Sequence, residues 1–444
     1  MKTRPNILFI MSDQQRPDSL GCYGNCFVDS PNIDALAAGG MVFDNAFSVF
    51  PLCTPARATM WTGLYPSTNN ITDCGFSIDD AFAWGEHPTT IFSRLKSAGY
   101  QIGYFGKWHL GSAQAHGVDT WSAFNSAGGH WVDGRQPFQN GTYLPDVQTE
   151  QMINHLDSIK DDDAPFFMVQ SYYPPHEPYT TQKRYMDMYR GRGIFRPGYY
   201  AAVTALDDCV GRLLNALDKH KLSRDTVVIY TSDHGEHFNY RAKHNKTTGH
   251  DDSIRIPLIV NWRGHIDSGL RSDEPTGQQD LVPTLLELSG TAHAEFTHGE
   301  SLVPSLFKRG RVERTQFYVQ NVEDFRTMDD WYRLTNEQVY LPTGRNYRSE
   351  NGEWDRQRAL WTPEHKLVLS DEGRHLLYDL VDDPEEELNF FGAPKFDYYN
   401  QYQHYPDPTE LTRRLTERLR AEALALKDSF GIMLADRVLG ELPV

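Results

Sequence analysis

The chain has no apolar run long enough to cross a bilayer, few cysteines and a deficit of positive charge. Its first apolar stretch, Ile7 to Met11, falls far short of the about 20 residues that a transmembrane helix needs. It is also too short for the core of a secretory signal with its cleavage site. A cytoplasmic protein without a membrane partner is therefore expected, and the sequons at Asn70, Asn140 and Asn245 carry little weight. The five cysteines, Cys22, Cys26, Cys53, Cys74 and Cys209, form no paired framework. Cys22 and Cys26 are spaced loosely like ligands but have no second pair to complete a zinc site, so plain thiols are expected. Lys and Arg number 43 against 60 Asp and Glu, a net charge of −17, which disfavours nucleic acid or an anionic membrane as partner. A local cationic pocket for an anionic substrate is compatible with that sum. Internal repeats and low-complexity segments are absent as well.

What is present points to a globular protein. The 444 residues, 39% of them hydrophobic, suffice for one large domain with a smaller appendage. Two β-branched runs, Asn6 to Met11 and Thr226 to Thr231, end directly in polar clusters, Ser12-Asp13-Gln14-Gln15 and Ser232-Asp233-His234-Gly235-Glu236. Both read as buried strands that deliver acids at their C-terminal ends. Further strands are expected at Gln101 to Phe105, Pro165 to Ser171 and Ile254 to Asn261. Helices are expected at Thr89 to Ala98, Tyr199 to Lys219 and Asp280 to Ser289. This alternation predicts an α/β sheet with helices on both faces. Ligands of such sheets bind beyond the carboxyl ends of the strands, where Asp13 and Asp233 fall.

From about Arg314 to Arg358 the sequence turns polar and aromatic, as a linking or substrate-facing region would. Short strands follow at Ala359 to Thr362, Lys366 to Ser370 and His375 to Leu380. A tail helix, Thr409 to about Ser429, carries an apolar stripe suited to packing on its own domain. The expected division is a catalytic α/β domain over 1–355 and a small antiparallel sheet plus helix over 356–444.

The segment Pro51-Leu52-Cys53-Thr54-Pro55-Ala56-Arg57 carries the most chemistry. Pro55 suits the first position of a helix and Thr54 its cap, so free N–H groups and the helix dipole would face an anion near Cys53. Arg57 adds a permanent positive charge. A buried structural cysteine is the plain alternative.

Together with Thr62-Gly63, this segment resembles the site of the type I, formylglycine-dependent sulfatases of the alkaline phosphatase superfamily. The resemblance extends from Asn6 to about Asn389 through separated motifs in family order, among them Gly106-Lys107-Trp108-His109-Leu110-Gly111 and Tyr172-Tyr173-Pro174-Pro175-His176-Glu177-Pro178-Tyr179. It implies an alkaline-phosphatase-like mixed sheet sandwiched by helices, with a smaller C-terminal α+β domain. It implies that Cys53 is converted to formylglycine by a formylglycine-generating enzyme during maturation. It places metal ligands at Asp13, Gln14, Cys53, Asp233 and His234, and catalytic groups at Cys53, Arg57, Lys107, His109, His176 and Lys246. Gln14 stands where many members have a second aspartate, and His234 where many have asparagine. Calcium is therefore the first expectation for the divalent metal and manganese the alternative. Lys107 and His109 are two apart, so an extended backbone would point both to one side. Lys246 is preferred over Lys243 because family members keep a lysine eleven residues before a proline, here Pro257. His250 is an extra contact of lower weight, and Lys243 and His244 are expected to face solvent.

In the implied mechanism a hydroxyl of the hydrated Cys53 aldehyde attacks sulfur. Arg57, Lys107, Lys246 and the metal stabilise the equatorial oxygens, and His176 or Lys246 protonates the leaving alcohol. His109 then helps the second hydroxyl lose its proton, and sulfate is ejected. The expected substrate is a small organic, aryl or saccharide sulfate. Trp84, His130, Trp131 and Tyr173 are candidates to line its pocket or to belong to the core. The alternative activity is phosphonate monoester or phosphodiester hydrolysis. A silent sulfate- or metal-binding homologue, with Cys53 still a thiol, is the third reading, and the sequence leaves a homo-oligomer open.

Overall fold

A computed structural model describes residues 4–72, 74, 90–111, 113–125, 129–135, 141–241, 245–292, 297–321, 356–392 and 408–443. The strands are β1 (Asn6–Asp13), β2 (Met41–Phe43), β3 (Ala46–Phe47), β4 (Gln101–Lys107), β5 (Thr120–Phe124), β6 (Phe166–Pro175), β7 (Thr226–Ser232), β8 (Leu258–Asn261), β9 (Leu270–Ser272) and β10 (Thr276–Gly277). Eight of them form one sheet in the order β5-β4-β6-β1-β7-β8-β2-β9, and β10 pairs with β3 apart from it. The five strands from β5 to β7 run parallel, β8 is antiparallel to both its neighbours, and β9 is parallel to β2.

β1 lies inside the sheet, and all eight of its residues are buried. Ile7, Phe9 and Met11 enter one core and Leu8 and Ile10 the other, because successive side chains of a strand face opposite sides. A strand covered on both faces reads as an unbroken apolar run. The helices Cys53–Thr62, Ile91–Ser97 and Leu281–Leu288 cover the first face; Pro31–Ala38, Leu144–Ile159 and Pro197–Lys219 cover the second. Register sets the position of the site, since Asp13 pairs with Pro175 of β6 and Ser12 with Ser232 of β7. The three strands therefore end level with one another.

Two local expectations are corrected. The strand expected from Ile254 begins only at Leu258, after a helical turn at Asp251–Ile254, because Pro257 has no N–H to give a ladder. The tail is two helices, Pro408–Ala425 and Ser429–Glu441. The break falls where Lys427 takes a left-handed φ of 56° and Asp428 caps the second helix by accepting from Gly431 N.

A second sheet consists of β11 (Phe317–Asn321), β12 (Gln357–Trp361), β13 (His365–Ser370) and β14 (Leu376–Asp379), all antiparallel. Its core joins the two tail helices to Phe47, Val49, Phe50 and Leu52, the lead-in to Cys53. The expected domain boundary at 355, and most of the polar aromatic stretch before it, lie outside the described residues. No helix among the described residues is long and apolar enough to cross a membrane.

Candidate active site

Asp13 ends β1, Lys107 ends β4, His176 follows β6, and Asp233 and His234 follow β7. Cys53 is the first residue of the helix facing these strand ends. Thr54 does not cap that helix, contrary to expectation; Leu52 holds the cap position, and the Thr54 hydroxyl donates to the His109 carbonyl at 2.8 Å. Pro55 sits inside the first turn, where a missing N–H costs nothing.

The fully buried Arg57 clamps the two strand ends together. Its Nη2 donates to Asp13 Oδ2 at 2.8 Å and its Nε to Asp233 Oδ2 at 2.9 Å. Its Nη1 donates to the Lys107 carbonyl and to Ser171 Oγ. The guanidinium fork is thus aimed at the two acids and at the ends of β4 and β6. Lys107 Nζ donates to Asp13 Oδ2 at 2.5 Å and stands 4.5 Å over the Tyr173 ring. Burial alone would raise both acids. Lys107, His176 and Arg57 nevertheless hold Asp13 below the usual carboxylate range, while burial and the neighbouring Asp13 hold Asp233 above it.

Cys53 Sγ lies 3.2 Å from His234 Nε2, 3.3 Å from Lys246 Nζ and 3.7 Å from Asp13 Oδ1. Burial opposes its ionisation, but Cys74, Lys107, Lys246 and His234 together hold the thiol well below its ordinary pKa. Lys246 Nζ also donates to Gln14 Oε1 at 2.7 Å and reaches His176 Nε2 at 3.1 Å. His176 Nδ1 faces the Glu177 carbonyl at 2.8 Å, which assigns the proton to Nδ1 and leaves Nε2 to accept from Lys246.

His109 reaches the same centre differently from the extended arrangement expected. β4 ends at Lys107, and His109 takes a left-handed φ of 57°. Burial and the Lys107 charge push its pKa down to about 4, so its ring is neutral near pH 7 and ready to accept a proton.

The donor set suits a divalent cation. Ligand atoms of Asp13, Cys53, Asp233 and His234 lie within 4.8 Å of one another, and all four residues are buried. Nδ1 of His234 meets the Gly235 carbonyl at 2.9 Å, which turns Nε2 inward toward the cluster. Gln14 is oriented from outside. Its Nε2 donates to Glu236 Oε2 and Glu177 Oε2, which turns its Oε1 toward Lys246 and the cluster.

Residues 5–291 match the Sulfatase family. The ulvan-active sulfatase of Formosa agariphila is 30% identical over 431 residues, covering 89% of this chain and 78% of the relative. This chain belongs to the sulfatase family. The N-acetylglucosamine-6-O-sulfatase of Bacteroides thetaiotaomicron is 26% identical, covering 88% of this chain and 84% of the relative. A protein solved in complex with its substrate D-glucosamine-2-N,6-O-disulfate superposes with a TM-score of 0.76 at 23% identity, covering 96% of this chain and 99% of that one.

In this sulfatase Asp13, Gln14, Cys53, Arg57, Lys107, His109, His176, Asp233, His234 and Lys246 gather at one centre. His250 does not join them: it is buried beside the small sheet, with Nε2 3.2 Å from the Tyr378 hydroxyl. Lys243, His244 and Trp84 lie outside the described residues. Tyr173 stacks on His176 at 4.7 Å and meets His130 edge-on at 5.3 Å, so these two pocket candidates do flank the centre. Trp131 is buried against Tyr143. Sequence reasoning missed Glu236, Tyr179, Glu177 and Asn245, which orient Gln14 and one another. Glu236 lies in the polar cluster Ser232 to Glu236 that closes β7, and its place there is the signal the sequence offers.

Proposed function

We propose that this sulfatase releases inorganic sulfate from sulfated saccharides or comparable small organic and aryl esters, with Cys53 converted to formylglycine. The observation that supports it best is the convergence of Lys246 Nζ and His234 Nε2 on Cys53 Sγ, at 3.3 and 3.2 Å, in a buried cluster. The ulvan-active and N-acetylglucosamine-6-O-sulfatase relatives favour a saccharide leaving group. The aldehyde hydrate would supply the attacking hydroxyl, and a divalent cation held by Asp13, Gln14, Asp233, His234 and residue 53 would polarise a sulfate oxygen. Its oxygen donors favour calcium, with manganese the alternative because of the His234 imidazole.

The chain's own groups do the rest. Lys107 and Lys246 offer fixed positive charge to the sulfate oxygens, and burial makes that charge count. Against the penalty of burial, Asp13 favours the protonated form of both, and Glu177 that of Lys246. His176, which Lys246 Nζ meets at Nε2, or Lys246 itself supplies the proton to the departing alcohol. Neutral His109 takes the proton that lets sulfate leave. Arg57 holds the carboxylates in place throughout.

Mass spectrometry of the peptide carrying residue 53, combined with sulfate release from an aryl sulfate, tests this. Aldehyde with turnover is expected; a thiol in a protein matured by the modifying enzyme, without turnover, would establish the silent reading. Gln14 and His234 lower the charge of the metal site, which also suits a phosphonate monoester or phosphodiester. Comparing kcat/KM on aryl sulfate and phosphonate monoester substrates separates the two.

A further inference from the structure

The segments that follow β1, β6 and β7 lie beyond the same strand ends as the catalytic centre. These segments expose aromatic rings. Phe195 is 61% exposed and Tyr240 52% exposed. Phe238 is buried and meets Phe195 edge-on at 5.7 Å and Tyr179 edge-on at 5.9 Å. The Tyr240 hydroxyl donates to Asp252, which fixes that ring.

Arg196 sits in the middle of this rim. Its guanidinium lies 5.2 Å over Phe195 and 5.9 Å from the Tyr179 ring, and its Nη2 donates one hydrogen bond to the Phe238 carbonyl. Among the described residues no carboxylate is within ion-pair distance of it. Its neighbours differ: Arg190 pairs with Asp187, Arg192 with Asp29, and Arg16 with Asp18 and Asp252. Arg196 also takes a left-handed φ of 53° directly before Pro197. Any residue with a Cβ is strained in that conformation, and such strain concentrates at functional positions. Tyr179 connects the rim to the centre, since its hydroxyl donates to Glu236 Oε2 at 2.6 Å and accepts from Asn245, the neighbour of Lys246, at 2.9 Å.

We propose that this rim binds the saccharide beyond the reactive ester, with Arg196 pairing a second anionic group of the substrate and Phe195 and Tyr240 lying against sugar faces. This rests on the sulfatase reading of the centre. A protein of net charge −17 repels a polyanion in general, so a substrate carrying several anionic groups needs local cations along its path. A guanidinium with free N–H groups, held on aromatic faces, is suited to bind a carboxylate or a sulfate ester in bidentate fashion. Exposed rings beside it offer flat apolar area to the C–H face of a sugar.

The experiment compares wild type with Arg196→Ala, Arg196→Lys and Phe195→Ala on four substrates. These are p-nitrophenyl sulfate, a sulfated disaccharide that also bears a carboxylate and a second sulfate, its carboxyl-reduced form, and its form lacking the second sulfate. Arg196→Ala is expected to leave kcat/KM on the aryl sulfate within about twofold and to lower it on the full disaccharide by about tenfold or more, through KM. Arg196→Lys should recover part of that loss. The substrate form on which Arg196→Ala no longer matters identifies the anionic group. Phe195→Ala should weaken every disaccharide and spare the aryl ester. Equal losses on aryl sulfate and disaccharide, or none on the disaccharide, would overturn the proposal while leaving the sulfatase reading intact. A wild type that turned over no sulfate ester at all would overturn both.

Discussion

Nε2 of His234 lies 3.2 Å from Sγ of Cys53, while Nδ1 of the same ring meets the Gly235 carbonyl at 2.9 Å. The backbone carbonyl accepts and cannot donate, so a proton is on Nδ1 and Nε2 is the nitrogen that faces the cluster. Replacing His234 by Ala is expected to weaken divalent-cation binding at least about tenfold. Calorimetric titration of chelator-treated protein with calcium and with manganese reads this, and the softer manganese should suffer more. Unchanged affinity for both ions would remove His234 from the donor set.

Cys53→Ser is expected to retain the fold and lose nearly all sulfate release, because a seryl hydroxyl has no second hydroxyl to drive collapse. Protein produced without the modifying enzyme should behave alike. Wild-type turnover by Cys53→Ser would refute the mechanism.

How much of this was legible beforehand follows from the kind of signal each residue gives. Asp13 and Asp233 were readable because each closes a buried apolar run that is itself a strong strand signal. The Cys53 and Lys107 segments were readable through whole motifs. The left-handed turn that brings in His109 and the Thr54 bond to its carbonyl were not, since both depend on how β4 meets the Cys53 helix. The clamp made by Arg57 was equally hidden. A sequence gives the charge, and only the register of β1 against β7 shows that two acids lie in front of it.

Arg57→Met should test that clamp. It removes the cation from between two buried carboxylates and is expected to cost about 3–5 kcal/mol of stability. Urea unfolding of wild type and variant in chelator gives the difference. A loss below about 1 kcal/mol would mean the carboxylates find other partners.

Gln14→Glu puts a carboxylate against Glu236 and Glu177 and removes the donor that both accept. A fall in kcat/KM of at least about tenfold is expected from losing hydrogen bonds to charged acceptors. Adding Glu236→Gln supplies a donor again and should recover part of the loss. A double variant no better than the single one would show that Glu236 does not orient residue 14.

Burial pushes the pKa of His130 and His237 down to about 4 and that of His250 to about 3, from an ordinary 6.5. The unfolded chain binds these protons near pH 6.5 and the folded chain does not until about pH 4. Stability contributed this way is present above pH 6.5 and is lost as pH falls toward 4, by up to about 1.4 kcal/mol per pH unit for each histidine. Urea midpoints between pH 7.5 and 4.5 measure the slope, and His250→Gln should flatten it. An unchanged slope would show that His250 contributes nothing to it.

The burial of Cys53 sets an order of events in biosynthesis. All ten residues from Cys53 to Thr62 are buried, and their lead-in is packed under the small sheet. In the finished fold this segment is helical and closed off from the surface. Conversion of the thiol is therefore expected while the chain is still being made or is not yet folded. A molecule that folds first should keep its thiol, and mixing it with the modifying enzyme afterwards is expected to recover activity only if it is unfolded again.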